Sequence, residues 1–564
     1  MFNQQRKSMK KISTFLLAGA AVFGLAACNN EKGFTPDEGT AAGNTSARVS
    51  VSIATPSSLK AQPQVDEAGR AAESKISTMH LVGFVNKDWN PSAVDGDGFW
   101  KAASGNYTIA PFEVKAGTGK LAMALNKGDL SIAIAPEIPF GAKGSAIEDI
   151  AKLSTDDKFV MTSAVAEKTV IANISEADAK AGNSEDKNVF KFDLERVVAQ
   201  AFVSKKADLK EETTDGSGKV NLDNMTYSVM NGAASTYVLA SHAGNRTMTD
   251  EGVYTDFESA IHTKTVADAK ADDQDFLIRI GALGKTSNDD LGGYKAIAVN
   301  EDAYVTGGSE ENRGIYFLEN SSDADYTNVD NRKDGYARLA TAKVYATFIP
   351  KDVYGVKADA KQTFTPEAGS TIWYKKTTTK ETVGTEEKTT ITYSDRTISD
   401  AKPTAAVEAN QEWVEGRVSY DKADIVKLAY TEGTTFYIGS TDEVAYTSIE
   451  AAISAGNEKV HTYKDGRCGY YGLLNRTLDK DIKVADTRRN NIYALAIASF
   501  SSRGFNYDPN DPKDPNLPKP DDPKDPDEDP DPDHHDNDIE PQKGFMRCEA
   551  KVLPWNLVTR DVHL

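Results

Sequence analysis

Between residues 508 and 541 the chain reads DPNDPKDPNLPKPDDPKDPDEDPDPDHHDNDIEP, a stretch from which no packed structure can be built. Proline recurs at nearly every third position and holds the backbone extended, and 14 acidic residues meet only 3 lysines. At about 3.1 Å per residue, such a spacer reaches on the order of 100 Å. Two strand-like segments follow it. In MRCEAKV, Met546, Cys548, Ala550 and Val552 alternate with Arg547, Glu549 and Lys551. After Pro554 and Trp555, the run LVTRDVHL places Val558, Val562 and Leu564 on one side, with Arg560 interrupting. Period two with branched apolar residues reads as a half-buried strand. Neither segment has a core of its own behind that spacer, so each must dock on a sheet edge, of its own chain or of another.

The other end of the sequence mirrors this arrangement. Arg6, Lys7, Lys10 and Lys11 precede the apolar run ISTFLLAGAAVFGL, too short for an ordinary spanning helix and ending in LAAC at Cys28. Residues 1–27 read as a lipoprotein signal peptide, with Met9 an equally good start, and Cys28 as the acylated residue. The expected product is a lipoprotein precursor outside the cytoplasm that touches the membrane only through its lipid. A polar tether follows, then RVSVSIA, in which Val49, Val51 and Ile53 share one face. Burying these three at roughly 1.5–3 kcal/mol each is worth roughly 5–9 kcal/mol. Another polar stretch, 57–70, separates this isolated strand from the rest.

From about residue 71 to 500 most of the chain reads as β-structure. Short runs such as MHLVGFV, YTIAPFEV, KLAMALN, RVVAQAFV, TTFYIG and NNIYALAIASF are split by Gly, Asn and Asp turns. Helix is expected only at 145–153 and 448–454. TTTKETVGTEEKTTITYSDRT reads as an exposed hairpin about its central glycine. The fold class is all-β, with two sandwiches, 71–245 and 246–507, divided near 241–250. Around them stand a propeptide at 28–70, a disordered linker at 508–543 and terminal strands at 544–564.

Composition closes several functional classes. The spacer holds about half of the formal charge of −20, which leaves a mildly acidic body without a basic stripe and argues against nucleic acid and anionic membrane surfaces. Three cysteines and seven histidines make a Cys/His metal cluster a poor fit, and no cofactor is expected. Cys468 and Cys548 read as two inert thiols, with pairing left open. AGTGKL lacks the upstream glycine of a phosphate loop, Val114 standing there, and has Leu121 where a Ser or Thr is needed. DGDGF offers Asp95 and Asp97 at calcium-loop spacing but fails at Phe99 and Asn106. No nucleophile elbow and no zinc-protease helix motif occurs, so the chain does not read as an enzyme.

Three stretches resemble the fimbrillins, the shaft subunits of the short fimbriae of Gram-negative anaerobes. They are APFEVKAGTGKLAMALN at 110–126, RRNNIYALAIASF at 488–500, and the acidic spacer with VLPWNL at 552–557. The last eighty residues are the most specific part, whereas 250–450 match only loosely. The resemblance implies two transthyretin-like β-sandwich domains and a removable N-terminal strand, here Val49, Val51 and Ile53. It implies a lipoprotein precursor carried to the outer membrane and cut there by an extracellular protease between Arg70 and Ala71, with Lys60 the weaker candidate and Arg48 placed ahead of the strand to be removed. The groove so opened receives a C-terminal donor strand of the next subunit, drawn from Met546, Cys548, Ala550, Val552, Trp555, Val558, Val562 and Leu564. Of the two segments, the last is favoured as donor and the first as its neighbour. The implied partners are identical subunits head-to-tail, accessory tip and anchor subunits and the protease, at a fimbrium on the cell surface. The rival reading is a glycan-binding surface lipoprotein. It needs exposed aromatic platforms, and the five tryptophans are not clustered in sequence.

Overall fold

The computed structural model describes residues 46–54, 71–89, 99–101, 107–134, 139–140, 148–175, 177, 179, 188–233, 235–239, 262–263, 276–280, 297–301, 314–322, 340–457, 460–474, 487–506 and 546–554. Cys28, Arg70, the linker at 508–543 and Trp555, Val558, Val562 and Leu564 lie outside them. The described residues are predominantly strand. Those used below are, in chain order, β1 (Ser46–Ala54), β2 (Met79–Gly83), β3 (Tyr107–Lys115), β4 (Gly117–Leu125), β5 (Val189–Asp193), β6 (Ala199–Lys205), β7 (Gly218–Ala233), β8 (Thr341–Pro350), β9 (Ile372–Val383), β10 (Glu386–Ile398), β11 (Arg467–Leu473), β12 (Asn491–Phe500) and β13 (Met546–Pro554).

Two sheets are built mainly from the first part of the chain. One has the order β5, β1, β3, Phe99–Lys101. The other runs Glu195–Arg196, Met161–Thr162, β4, β2, Lys87–Trp89, with Ala166–Val170 also paired to β4. Leu121, Met123 and Leu125 of β4, Met79 and Leu81 of β2, and Phe190 and Phe192 of β5 meet in one apolar cluster. These are the alternate positions of their strands, as period-two patterning requires.

Two further sheets follow. One has the order Ile315–Phe317, β6, β12, β13; the other runs Phe276–Ile280, β7, β8, β11, Phe505–Asn506. β6 and β7 thus pair with strands from 341–350 and 491–500, although both precede residue 241. These later pairings begin at residue 199, while Thr236–Tyr237 still pairs back with Pro139–Phe140. Alternation in RVVAQAFV shows that both faces are buried but not which strand lies alongside, and β6 runs parallel to a partner nearly 300 residues away.

Residues 353–463 depart from a single second sandwich. Placed in sequence between the hydrogen-bonded partners β8 and β11, they form two sheets of their own. One comprises Ile425–Leu428, Val353–Val356, Ala445–Tyr446, Phe436–Gly439 and Val460–Tyr463; the other comprises Thr363–Pro366, Gln411–Ser419, β9 and β10. Phe436 stacks on Tyr463 and meets Phe348 of β8, so this insertion shares the apolar core. β9 and β10 form the expected exposed hairpin, turning at Gly384 with φ +70°.

The helices are short: α1 (Ala71–Ser74), α2 (Glu148–Leu153) and α3 (Ile449–Ala455). Ser448 caps α3 by accepting from the Ala451 N–H, and Gly456 closes it in a left-handed conformation. None of the described helices is long and apolar enough to cross a membrane.

Cys468 on β11 is a free, buried thiol, and its Sγ approaches the Ala346 carbonyl at 3.6 Å. Burial pushes its pKa from 9.0 up to about 12. Tyr227 and Tyr470 are raised by burial as well. A raised folded-state pKa means that the stability contribution is complete below pH 9.0 and is lost as pH climbs towards 12. The denaturant midpoint should therefore fall steadily between those two values, and peptide mapping should find Cys468 unalkylated at pH 8 until the chain unfolds. A flat alkaline profile, or ready alkylation of the native protein, would contradict this.

Asn126 ends β4 at φ 55°, a left-handed conformation that asparagine tolerates better than most residues. Its Oδ1 accepts from the Ser77 and Thr78 N–H groups at 2.7 and 3.1 Å, and its Nδ2 donates to the Lys75 and Phe159 carbonyls at 2.8 and 3.0 Å. Four bonds, three of them half-buried, at a net of about 1 kcal/mol each set the expected loss for Asn126→Ala at about 4 kcal/mol. Chemical denaturation measures it, and a loss below about 1 kcal/mol would contradict the assignment.

Candidate functional site

β1 is an inner strand. It pairs in parallel with β5, from Ser50↔Val189 to Ala54↔Asp193, and antiparallel with β3, from Ser46↔Lys115 to Ile53↔Tyr107. Val49 faces Phe112 in this ladder, Val51 faces Ile109, and the register shifts between them. The shift has a covalent cause. Pro111 of β3 has no N–H to give to the ladder, and within sheets proline is confined to edges and irregularities. On β5, Phe190 and Phe192 are buried; on β3, Phe112 and Val114 are half-buried. The strands flanking β1 are therefore apolar, and each has a row of peptide groups engaged by it.

β13 occupies a different kind of place. It pairs antiparallel with β12 from Asn491↔Pro554 to Phe500↔Met546, and it is the edge of its sheet. The strand holding Met546, Cys548, Ala550 and Val552 is thus docked on its own chain, and it extends two residues beyond Val552.

Joining these regions is a buried polar junction organised by 488–491. Arg489 is 2% exposed and its partner Glu319 1%. The Arg489 Nε donates to Glu319 Oε1 at 2.8 Å and its backbone N–H to Oε2 at 3.2 Å. The guanidinium also donates to Thr236 Oγ1 and to the Tyr237 and Val238 carbonyls. Arg488 pairs with Glu195 at 3.4 Å. Asn490, at φ 58°, donates its N–H to the Val198 carbonyl, and its Oδ1 accepts from both N and Nη1 of Arg196. Arg196 reaches on to the Glu73 carbonyl in α1, and the Tyr316 hydroxyl donates to the Glu73 carboxylate. Buried charges persist only where each finds a partner, as these do.

The expected site residues are therefore not one constellation. Val49, Val51 and Ile53 lie on β1, Met546–Val552 on β13, and Ala71 begins α1. Sequence reading noticed Arg488 and Arg489 as part of a motif but missed what they do, along with Glu73, Glu195, Arg196 and Glu319. The available signal was a pair of arginines just ahead of a largely apolar strand, where charges must be matched. Concerning the glycan reading, Trp413 is buried and donates to the Ala405 carbonyl, and half-buried Trp373 donates to that of Ser399.

No family model matches the chain. Two curated relatives, both named minor fimbrium subunit Mfa1 of Porphyromonas gingivalis, are 38% identical over 153 residues. That match takes in 25% of this chain and 31% of the relative, so the chain spans about a third of the length of the curated proteins it matches. Among solved structures, a fimbrilin (fimA) of the same species aligns over 91% of this chain and 99% of its own length, at 10% identity and a TM-score of 0.38. The tip fimbrial protein Mfa3 aligns over 80% and 95%, at 10% identity and a TM-score of 0.25.

Removing one partner of the Arg489–Glu319 pair leaves a buried charge alone. Glu319→Gln should cost about 3–5 kcal/mol, whereas the double replacement Glu319→Leu with Arg489→Met should recover most of that loss. A double-mutant cycle by chemical denaturation reads both. Equal and additive losses would show that the pair is not coupled.

Proposed function

We propose that this chain, related to the fimbrillins through its 153-residue match to a minor fimbrium subunit, is a structural subunit of a fimbrial shaft. Its role is structural rather than catalytic. In this reading the precursor is exported as a lipoprotein acylated at Cys28, and a protease cuts between Arg70 and Ala71. The released segment carries β1 away, and a C-terminal segment of the neighbouring subunit takes its place. Repetition head-to-tail gives a polymer on the cell surface, completed by accessory tip and anchor subunits.

One observation carries the reading: β1 is flanked on both sides and lies ahead of the expected cleavage position. Withdrawing it leaves two strands with unpaired peptide groups and a slot between Phe112 and Phe190. Unpaired buried backbone is strongly disfavoured, so the slot demands a replacement strand. An extended peptide supplies the missing bonds through its backbone and fits by alternate side chains. Because acceptor and donor are different surfaces, the contact does not close on itself and propagates. Of the two C-terminal segments, residues 557–564 are taken as the donor, with β13 as the supporting neighbour.

The test uses precursor lacking the signal peptide, residues 29–564, treated with a limiting Arg-specific protease and run unboiled on a denaturing gel. A new N-terminus at Ala71 with a ladder of heat-sensitive oligomers is expected. Deleting 555–564 should abolish the ladder while leaving trimming intact. Clean trimming that yields only monomer, or a ladder indifferent to the deletion, would overturn the assembly mechanism.

A further inference from the structure

The strand that borders the slot and the strand that holds β13 are joined by a very short path. β5 makes its last pair with β1 at Asp193↔Ala54, and two residues later comes Glu195, paired with Arg488 at 3.4 Å. Next to it, Arg196 gives both its N–H and its Nη1 to Asn490 Oδ1 at 3.2 Å. Asn491, the following residue, opens β12 and pairs with Pro554 of β13. Energetic coupling passes most readily through contiguous, buried, two-partner contacts of this kind, provided that some element has two states to choose between. β13 is such an element: it is an edge strand held by β12 on one side, and it can leave without splitting its sheet. Arg489 serves another purpose. It ties the root of β12 to Glu319, Thr236 and Val238.

We infer that occupation of the β1 slot controls the docking of β13, through the Glu195–Arg488 and Arg196–Asn490 contacts. With β1 in place, its parallel ladder fixes the line of β5, and Glu195 and Arg196 hold the start of β12 in the register that accepts β13. When β1 is withdrawn, β5 loses that ladder, the two contacts loosen, and β13 is released from β12. The strand-bearing tail is thus freed only from subunits that have already opened their own slot, which suppresses premature strand donation by untrimmed precursor. The inference rests on the proposed strand replacement for its biological sense, but the physical coupling can be read on the monomer.

Hydrogen exchange on precursor 29–564, before and after trimming and too dilute to polymerise, provides that reading. Trimming should speed exchange of the 546–554 amides about tenfold, within the usual range for coupled sites, while the 199–205 amides stay unchanged. Asn490→Gly keeps the left-handed backbone and removes the side chain whose Oδ1 accepts from Arg196; Glu195→Gln removes the charge facing Arg488 and replaces one acceptor oxygen by an amide NH2. In either variant the trimming effect should drop below about threefold, with 199–205 still protected as evidence of folding. Should Asn490→Gly fail to fold, Glu195→Gln carries the same test. No acceleration in the unaltered chain, or an equal acceleration in the variants, overturns the coupling. The gel ladder from the same trimmed sample reports separately on assembly. A ladder without acceleration would reject the coupling alone, and acceleration without a ladder would reject the assembly reading alone.

Discussion

An inner strand cannot be withdrawn from a sheet without stranding two rows of peptide groups, and this constraint governs the first part of the molecule. β1 is bonded on both sides, in parallel to β5 and antiparallel to β3. Each ladder bond contributes only about 1 kcal/mol net when it is made, yet a buried group left unpaired costs more than its bond was worth. Strand removal therefore leaves a state that is destabilised locally while the rest of the fold persists. Such a state lowers its free energy by accepting a strand, and the proposed cut would act through that preference.

The second requirement is that the rest should persist. Apolar contact alone joins sheets without fixing their relation closely, since hydrophobic attraction is non-directional. The junction at 488–491 adds direction. Arg489, Glu319, Arg488, Glu195, Arg196, Asn490 and Glu73 are buried and hydrogen-bonded, and breaking either ion pair strands a buried charge. Only a narrow range of geometries satisfies all of them together. In the proposed polymer such a joint would serve a subunit under tension better than additional apolar area.

The all-β class was legible because period-two alternation and turn residues recur throughout; α3, with its Ser448 cap and Gly456 stop, and the β9–β10 hairpin were legible from local chemistry. RVSVSIA was readable as a strand from Val49, Val51 and Ile53 alone. Its position between β3 and β5 was not, because partners at 107–115 and 189–193 are set by topology and not by local pattern. The same limit hid the pairing of β6 with β12. The insertion at 353–463 was missed because its strands carry the same alternation as their surroundings. The polar junction was missed for a different reason: the charge partners of Arg488 and Arg489 are 293 and 170 residues away. Charges before an apolar strand indicate that partners exist, and only the fold shows which.

The most direct test of the central claim is a structure of the polymer itself, by cryo-electron microscopy of fibres assembled from trimmed chain. Between Tyr107–Lys115 and Val189–Asp193 the density should show a strand continuous with the C-terminal segment of the neighbouring copy, in the position that β1 holds in the monomer. Finding residues 46–54 still between those strands, or finding the slot empty while subunits contact elsewhere, would contradict the account.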